Sequence, residues 1–140
     1  MTLARAIEIA FEAHKEQKDK SGEPYILHLT KVMNKGINLK EKIAGILHDL
    51  VEDTKWTFKD LEREGLDSEI IYALRCLTKK NDETYDEFID RVKTNQLATR
   101  VKLNDLEDNL DVKRISLLTS KDTERINKYL KSYRLLSNIF

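Results

Sequence analysis

Gly45-Ile46-Leu47-His48-Asp49-Leu50-Val51-Glu52-Asp53-Thr54 sets one histidine and three acids within six positions, with no lysine or arginine among them. Its apolar residues decide how it is read. Together with Ile43, the residues Ile46, Leu47, Leu50 and Val51 follow the i, i+3, i+4, i+7, i+8 spacing of an amphipathic helix. His48, Asp49, Glu52 and Asp53 then share the opposite arc. His48 stands one turn before Glu52, and Asp49 one turn before Asp53. One reading is a solvated outer face. The other starts from electrostatics. Acids one turn apart repel by roughly a few tenths of a kcal/mol even when exposed. The nearest cations, Lys42 and Lys55, lie outside the cluster. A bound divalent metal would resolve the conflict, and imidazole with carboxylate suits Mn, Fe or Zn better than Ca or Mg.

Working outward, the rest of the chain also reads as helix. There is one proline, Pro24, and there are four glycines. No Asn-Gly hairpin and no sustained period-two alternation occurs. Thr2 is the expected N-cap of a first helix, with Ile7, Ala10, Phe11 and His14 on one face. Pro24 suits the first turn of a second helix ending at Gly36. The third is expected to run unbroken over residues 39–53. Thr57 caps a fourth that stops at Gly65, and Asp67 is placed to cap a fifth. "TYDEFIDRVK" gives a sixth, "QLATRVKLNDLEDNL" a seventh, and residues 123–139 the last, after a loop "TSKDT". The apolar stripe of "YLKSYRLLSNIF" is expected to pack on the core.

The 140 residues fit one domain, 1–140, with a single core. The 25 basic and 25 acidic residues balance, which argues against a DNA- or RNA-binding role but leaves a local nucleotide pocket open. No apolar run approaches a membrane span, and the N-terminus lacks the pattern of a signal peptide. The one cysteine, Cys76, sits among apolar neighbours and reads as a core residue. A cytoplasmic location is the expectation, with no membrane partner.

Further metal ligands are available. His28 lies at the edge of the apolar face of the second helix, beside Tyr25 and Val32; it reads as a core histidine or as a ligand. In "VKLNDLEDNL", Leu103, Leu106 and Leu110 make the core stripe, with Asp105 and Asn109 one turn apart on the other side. His14 reads as structural.

These blocks carry a resemblance. "EAHKEQKDKSGEPYILH", "AGILHDLVEDT", "LTK" and "VKLNDLEDN" resemble, in order and spacing, the hydrolase domain of the RelA/SpoT alarmone enzymes and the small alarmone hydrolases. Both are HD-domain metal-dependent phosphohydrolases. The resemblance spans residues 3–112 and implies an all-α HD-domain helical bundle of about eight helices. It implies one divalent metal, Mn, held by His28, His48, Asp49 and Asp105. It implies that Glu52 and Asp53 act on the water and the phosphate, and that Asn109 contacts substrate. Lys18 and Lys20, in the loop before the second helix, are candidates for the diphosphate, with Lys79 and Lys102 behind them.

The expected activity is guanosine 3′,5′-bis(diphosphate) 3′-diphosphatase, with pyrophosphate as product and a small-molecule nucleotide as partner. Alarmone synthesis is not expected, because the synthetase domain is absent. The sequence departs from the pattern at substrate contacts. Asp19 stands where an arginine is common, Leu29 follows His28 in place of proline, and Asp111 and Val112 replace an Arg-Thr pair. Another nucleotide or phosphorylated metabolite, such as NADPH, is therefore the alternative substrate, and a non-catalytic helical binding module the third reading.

Overall fold

Residues 1–138 are described by the structure, a computed structural model, and among them no element other than helix forms apart from one isolated bridge, Lys18 to Pro24. The order is α1 (Leu3–His14), α2 (Ile26–Lys35), α3 (Leu39–Leu47), α4 (Leu50–Asp53), α5 (Phe58–Arg63), α6 (Ser68–Leu77), α7 (Tyr85–Lys93), α8 (Gln96–Asn109) and α9 (Ser120–Ser137). No helix among the described residues is long and apolar enough to cross a membrane.

The all-α architecture of about eight helices is as expected, except that the stretch expected as one helix over residues 39–53 is split in two. α3 stops at Leu47, and α4 begins at Leu50. Asp49, between them, has φ −102° and ψ 0°, the bridge region that many active-site residues occupy. The cause is local. The Nδ1–H of His48 donates to the carbonyl oxygen of Gly45 at 2.7 Å. A continuous helix would offer that oxygen to the amide of Asp49, so the imidazole intrudes on the ladder. The bend turns His48 from the outer arc into the interior, where it is 3% exposed.

Caps explain most other boundaries. Thr2 accepts from the amide of Arg5, and Asn38 from that of Glu41. Thr57 with Asp60, and Thr84 with Glu87, form reciprocal capping boxes. Gly65, at φ +81°, takes a left-handed conformation just after α5. Asp67 occupies the N-cap of α6 without a side-chain capping bond. α9 begins at Ser120, earlier than its apolar pattern suggested. Thr119 and Asp122 of the supposed loop form a third capping box and start the helix. The expected end at Ile139 lies outside the described residues.

α3 runs through the centre of the bundle, against α1, α2, α6 and α8. Ala44, Ile46 and Leu47 meet Leu29 and Val32 of α2, Ala6 and Ile9 of α1, Leu74 of α6 and Val101 and Leu106 of α8 in one buried core. Val51 is only partly buried, as are Leu103 and Leu110. On α1 the buried face is Ala6, Ile9, Ala10 and His14; Ile7 and Phe11, expected on it, are exposed. The small side chains at Ala6 and Ala10 let α1 approach closely, which leaves the bulky pair at the margin. Cys76 is buried. Leu136 anchors α9 to the core, with Tyr129 and Tyr133 packed beside it.

Gly45 sits where α3 crosses α2. A Cβ there would lie 3.2 Å from Cα of Met33 and 3.3 Å from its nitrogen. Those atoms are helix backbone and yield only if α2 moves. Gly45→Ala is expected to lower stability by about 1 kcal/mol, the overpacking outweighing the gain in helix propensity. Thermal unfolding checks this, and an unchanged or raised Tm would refute it.

Candidate functional site

Three separate segments bring four polar side chains to one point. His28 comes from the first turn of α2, His48 and Asp49 from the α3–α4 bend, and Asp105 from α8. One ligand atom each of His28, His48 and Asp49 lies within 4.8 Å of the others. Oδ1 of Asp105 is 2.9 Å from Nε2 of His28 and 3.3 Å from Nε2 of His48. His28, His48 and Asp105 are 3–5% exposed.

Both imidazoles are oriented from behind. Nδ1 of His48 is committed to the carbonyl of Gly45, and Nδ1 of His28 bonds to Oδ2 of Asp108 at 2.6 Å. With Nδ1 committed, Nε2 of each ring is left to face the carboxylates. Nε2 of His48 lies 3.2 Å from Oδ2 of Asp49, a charge-pair distance, yet no acceptor stands at a hydrogen-bonding angle. A buried imidazole nitrogen aimed at carboxylates and without a hydrogen-bond partner fits the role of a metal ligand. The donor set of imidazole and carboxylate fits a transition-metal cation.

The electrostatics agree. Burial pushes the His48 imidazole down, but the charges of Asp49 and Asp105 outweigh it and hold it well above its ordinary value. For His28, burial is outweighed by hydrogen bonds to Asp105 and Asp108, which raise it to about 9. Burial works to raise the Asp105 carboxyl, but Lys102 and His48 hold it well below its usual range. The same negative field that raises both imidazoles would favour a divalent cation between them.

Around this centre the residues take distinct places. The hydroxyl of Tyr25 donates to Oδ2 of Asp49 at 2.5 Å. Lys102, 13% exposed at its side chain, donates to Oδ2 of Asp105 at 2.9 Å. Asn109 donates to Oδ1 of Asp105 at 3.0 Å. Glu52 and Asp53 lie on the open side of the centre, where Oε1 of Glu52 accepts from the amide of Lys79 at 3.0 Å. Asp53 is open to solvent on one edge, yet partial burial and the charges of Asp49 and Glu52 raise its carboxyl to about 6. Gln17 donates to the backbone carbonyl of Asp53, and its Oε1 accepts from Nδ1–H of His14 at 2.8 Å, tying α1 to α4.

A cavity of about 210 Å³ opens over these groups, lined by His48, Asp49, Glu52, Asp53, Lys79, Lys102, Asp105 and Asn109 with Tyr25, Tyr85 and Tyr129. Lys18 and Lys20 are not among its walls. They line a neighbouring pocket of about 320 Å³ that shares Tyr25, Asn109 and Tyr129 with the first. Asp19 lies there too, 3.6 Å from Arg114. Its Oδ1 accepts from the amides of Ser21 and Glu23, so the loop is built around this acid.

Lys102, expected behind Lys18, lines the cavity, and Tyr25, Tyr85, Tyr129 and Asp108 join the site without having been expected there. The signal for two of them was helical spacing: Lys102 and Asp108 each stand three residues from Asp105.

No protein-family model matches the chain. Curated relatives do. The chain is 35% identical over 136 residues to a guanosine-3′,5′-bis(diphosphate) 3′-pyrophosphohydrolase of Aquifex aeolicus, a match covering 90% of this chain and 19% of the relative. A protein of the same description from Borreliella burgdorferi is 36% identical over 85 residues, 58% of this chain and 13% of the relative. A GTP pyrophosphokinase of Streptomyces coelicolor is 41% identical over 66 residues, 44% of this chain and 8% of the relative. The chain thus spans at most about a fifth of the length of these relatives. Its fold is shared with a solved structure described as a metazoan ortholog of SpoT that hydrolyzes ppGpp: TM-score 0.78, 22% identity, 96% of this chain and 84% of the other.

Proposed function

We propose that this chain, which resembles the hydrolase domain of the RelA/SpoT enzymes and the small alarmone hydrolases, is a metal-dependent phosphohydrolase. Its preferred substrate in this reading is guanosine 3′,5′-bis(diphosphate), from which it releases the 3′-diphosphate as pyrophosphate. The whole of residues 1–140 acts as one hydrolase domain on a small-molecule nucleotide, in the cytoplasm. The observation that carries the reading is the pair of back-anchored imidazoles whose Nε2 atoms face Asp49 and Asp105.

His28, His48, Asp49 and Asp105 would hold the cation, with manganese the preferred ion. When bound, it supplies Lewis acidity toward a phosphoryl oxygen and a lowered pKa for a water. The chain's own residues do the rest. Glu52 and Asp53, on the open side of the cavity, orient the attacking water and take its proton. The raised Asp53 carboxyl suits a proton acceptor near neutral pH. The Lys102 ammonium, buried against Asp105, carries positive charge to the place where the phosphoryl group must sit. Lys79 and Asn109 stand at the rim. Tyr25 fixes Asp49, and Asp108 fixes His28.

Asp108→Asn tests the support behind the metal. An amide in that place keeps the shape but removes the charge that makes His28 a strong donor. The expected result is a metal affinity lower by about 10- to 100-fold with the fold unchanged. Competition against a chromophoric chelator measures it, and wild-type affinity would remove Asp108 from the site.

The acid in the neighbouring pocket favours a second reading. Asp19 is bound into its loop and paired to Arg114, so a pocket rebuilt for another nucleotide or for NADPH fits the same chemistry. The deciding experiment is pyrophosphate release from the bis(diphosphate) by the manganese-loaded protein, against magnesium and zinc, with NADPH and ordinary nucleotides in parallel. Rapid release from the bis(diphosphate) alone supports the first reading. Turnover of another phosphate ester alone supports the second. Metal bound without turnover of any substrate returns the protein to the class of binding modules.

A further inference from the structure

Two buried side-chain atoms without a hydrogen-bond partner belong to residues lining the same cavity: Nε2 of His48 and Oη of Tyr85. The cation site accounts for the first. Nothing in the fold accounts for the second. The ring of Tyr85 is well held without its hydroxyl. It meets Phe88 edge-on at 6.0 Å and Tyr129 at 6.5 Å, and the Lys128 ammonium lies 4.5 Å from its centre. It is the first residue of α7, behind a closed Thr84–Glu87 capping box that fixes its backbone. A phenylalanine would fill the same space and spare the chain a buried polar atom with no partner. The hydroxyl is a cost to the fold alone, and its residue lines the cavity that Lys102, Glu52 and Asp53 also line.

Its missing partner is an acceptor that arrives with a ligand. The carboxylates of the cavity stop short of it, and the Lys102 ammonium, which gives one N–H to Asp105 and can only donate, is no acceptor for it. A phosphoryl oxygen seated beside Lys102 supplies that acceptor and matches the positive charge. We infer that Tyr85 is a substrate-binding residue whose O–H donates to a phosphoryl oxygen of the diphosphate next to Lys102. The inference rests on the phosphohydrolase reading and extends it from the metal-centred end of the cavity to the α7 wall.

The test is Tyr85→Phe, which deletes one oxygen. Calorimetric titration of the manganese-loaded proteins with manganese pyrophosphate reads binding without turnover. The dissociation constant is expected to rise about tenfold, the effect of one hydrogen bond to a charged acceptor. Metal content should match the wild type, and Tm should be equal or higher. With the bis(diphosphate), KM should rise more than kcat falls. Unchanged pyrophosphate affinity, or a lowered Tm with unchanged affinity, would overturn the inference, because the hydroxyl would then serve the fold. Wild-type protein that binds no pyrophosphate would overturn it too. Wild-type protein that binds pyrophosphate through Tyr85 but spares the bis(diphosphate) supports the inference and moves the substrate to another diphosphate.

Discussion

Asp49→Ala protein is expected to purify without a divalent metal and to release no measurable pyrophosphate. Asp49 belongs to both trios whose ligand atoms lie within 4.8 Å of one another, His28–His48–Asp49 and Asp49–Glu52–Asp53. Its removal leaves two imidazoles and Asp105, and Asp105 already serves Lys102 and Asn109. Loss of one charged ligand should cost more than the roughly 10- to 100-fold seen when a supporting residue is removed. The fold should survive. Asp49 makes no side-chain capping bond to α4, so alanine takes no helix cap away. It does strand the Tyr25 hydroxyl, whose proton goes to Asp49, and a modest fall in Tm is part of the expected result. Metal analysis of purified protein and circular dichroism separate the two effects. Wild-type metal content would sink the ligand assignment.

Glu52→Gln should behave in the opposite way, keeping the metal and losing turnover. Glu52 is not among the buried groups that face both imidazoles. It stands outside them, with Oε1 held by the amide of Lys79. That bond survives in glutamine, whose carbonyl oxygen accepts equally well. What disappears is a carboxylate beside the water. The expected loss in kcat is about 10²- to 10⁴-fold, the usual weight of a positioned general base, at near-constant metal affinity. Single-turnover release of pyrophosphate measures it. Near wild-type turnover would shift the proton-accepting role wholly to Asp53, whose carboxyl is already raised to about 6.

Much of this was legible in the sequence, and the misses have physical causes. The core stripe of α3 and most of the caps follow from spacing and side-chain chemistry. In the opening stretch the buried stripe of Ile43, Ile46, Leu47 and Leu50 lies where the spacing puts it, but His48 does not. Periodicity assumes a continuous helix, and on one His48 points outward. The bond from His48 to the Gly45 carbonyl breaks that assumption and buries the ring. Helical spacing sets Asp108 beside Asp105, but it cannot show that Asp108 meets His28, 80 residues away. The start of α9 was a missed signal: Thr119 and Asp122 carry the capping spacing, but the apolar pattern begins later. On α1, alanine-lined contact beat size, and Ile7 and Phe11 lost their place in the core.

The separation of the proposed ligands along the chain bears on how the protein is made. His28 and Asp105 are 77 residues apart, and His48 and Asp49 lie between them. A nascent chain that has emerged only through α7 carries three of the four ligands and cannot close the set. The cation then acts as a clasp across a long loop, and the stability it adds is gained only in the finished fold. On the proposed ligand set, retained metal would report that α8 has docked, and a chain cut before α8 would hold no metal.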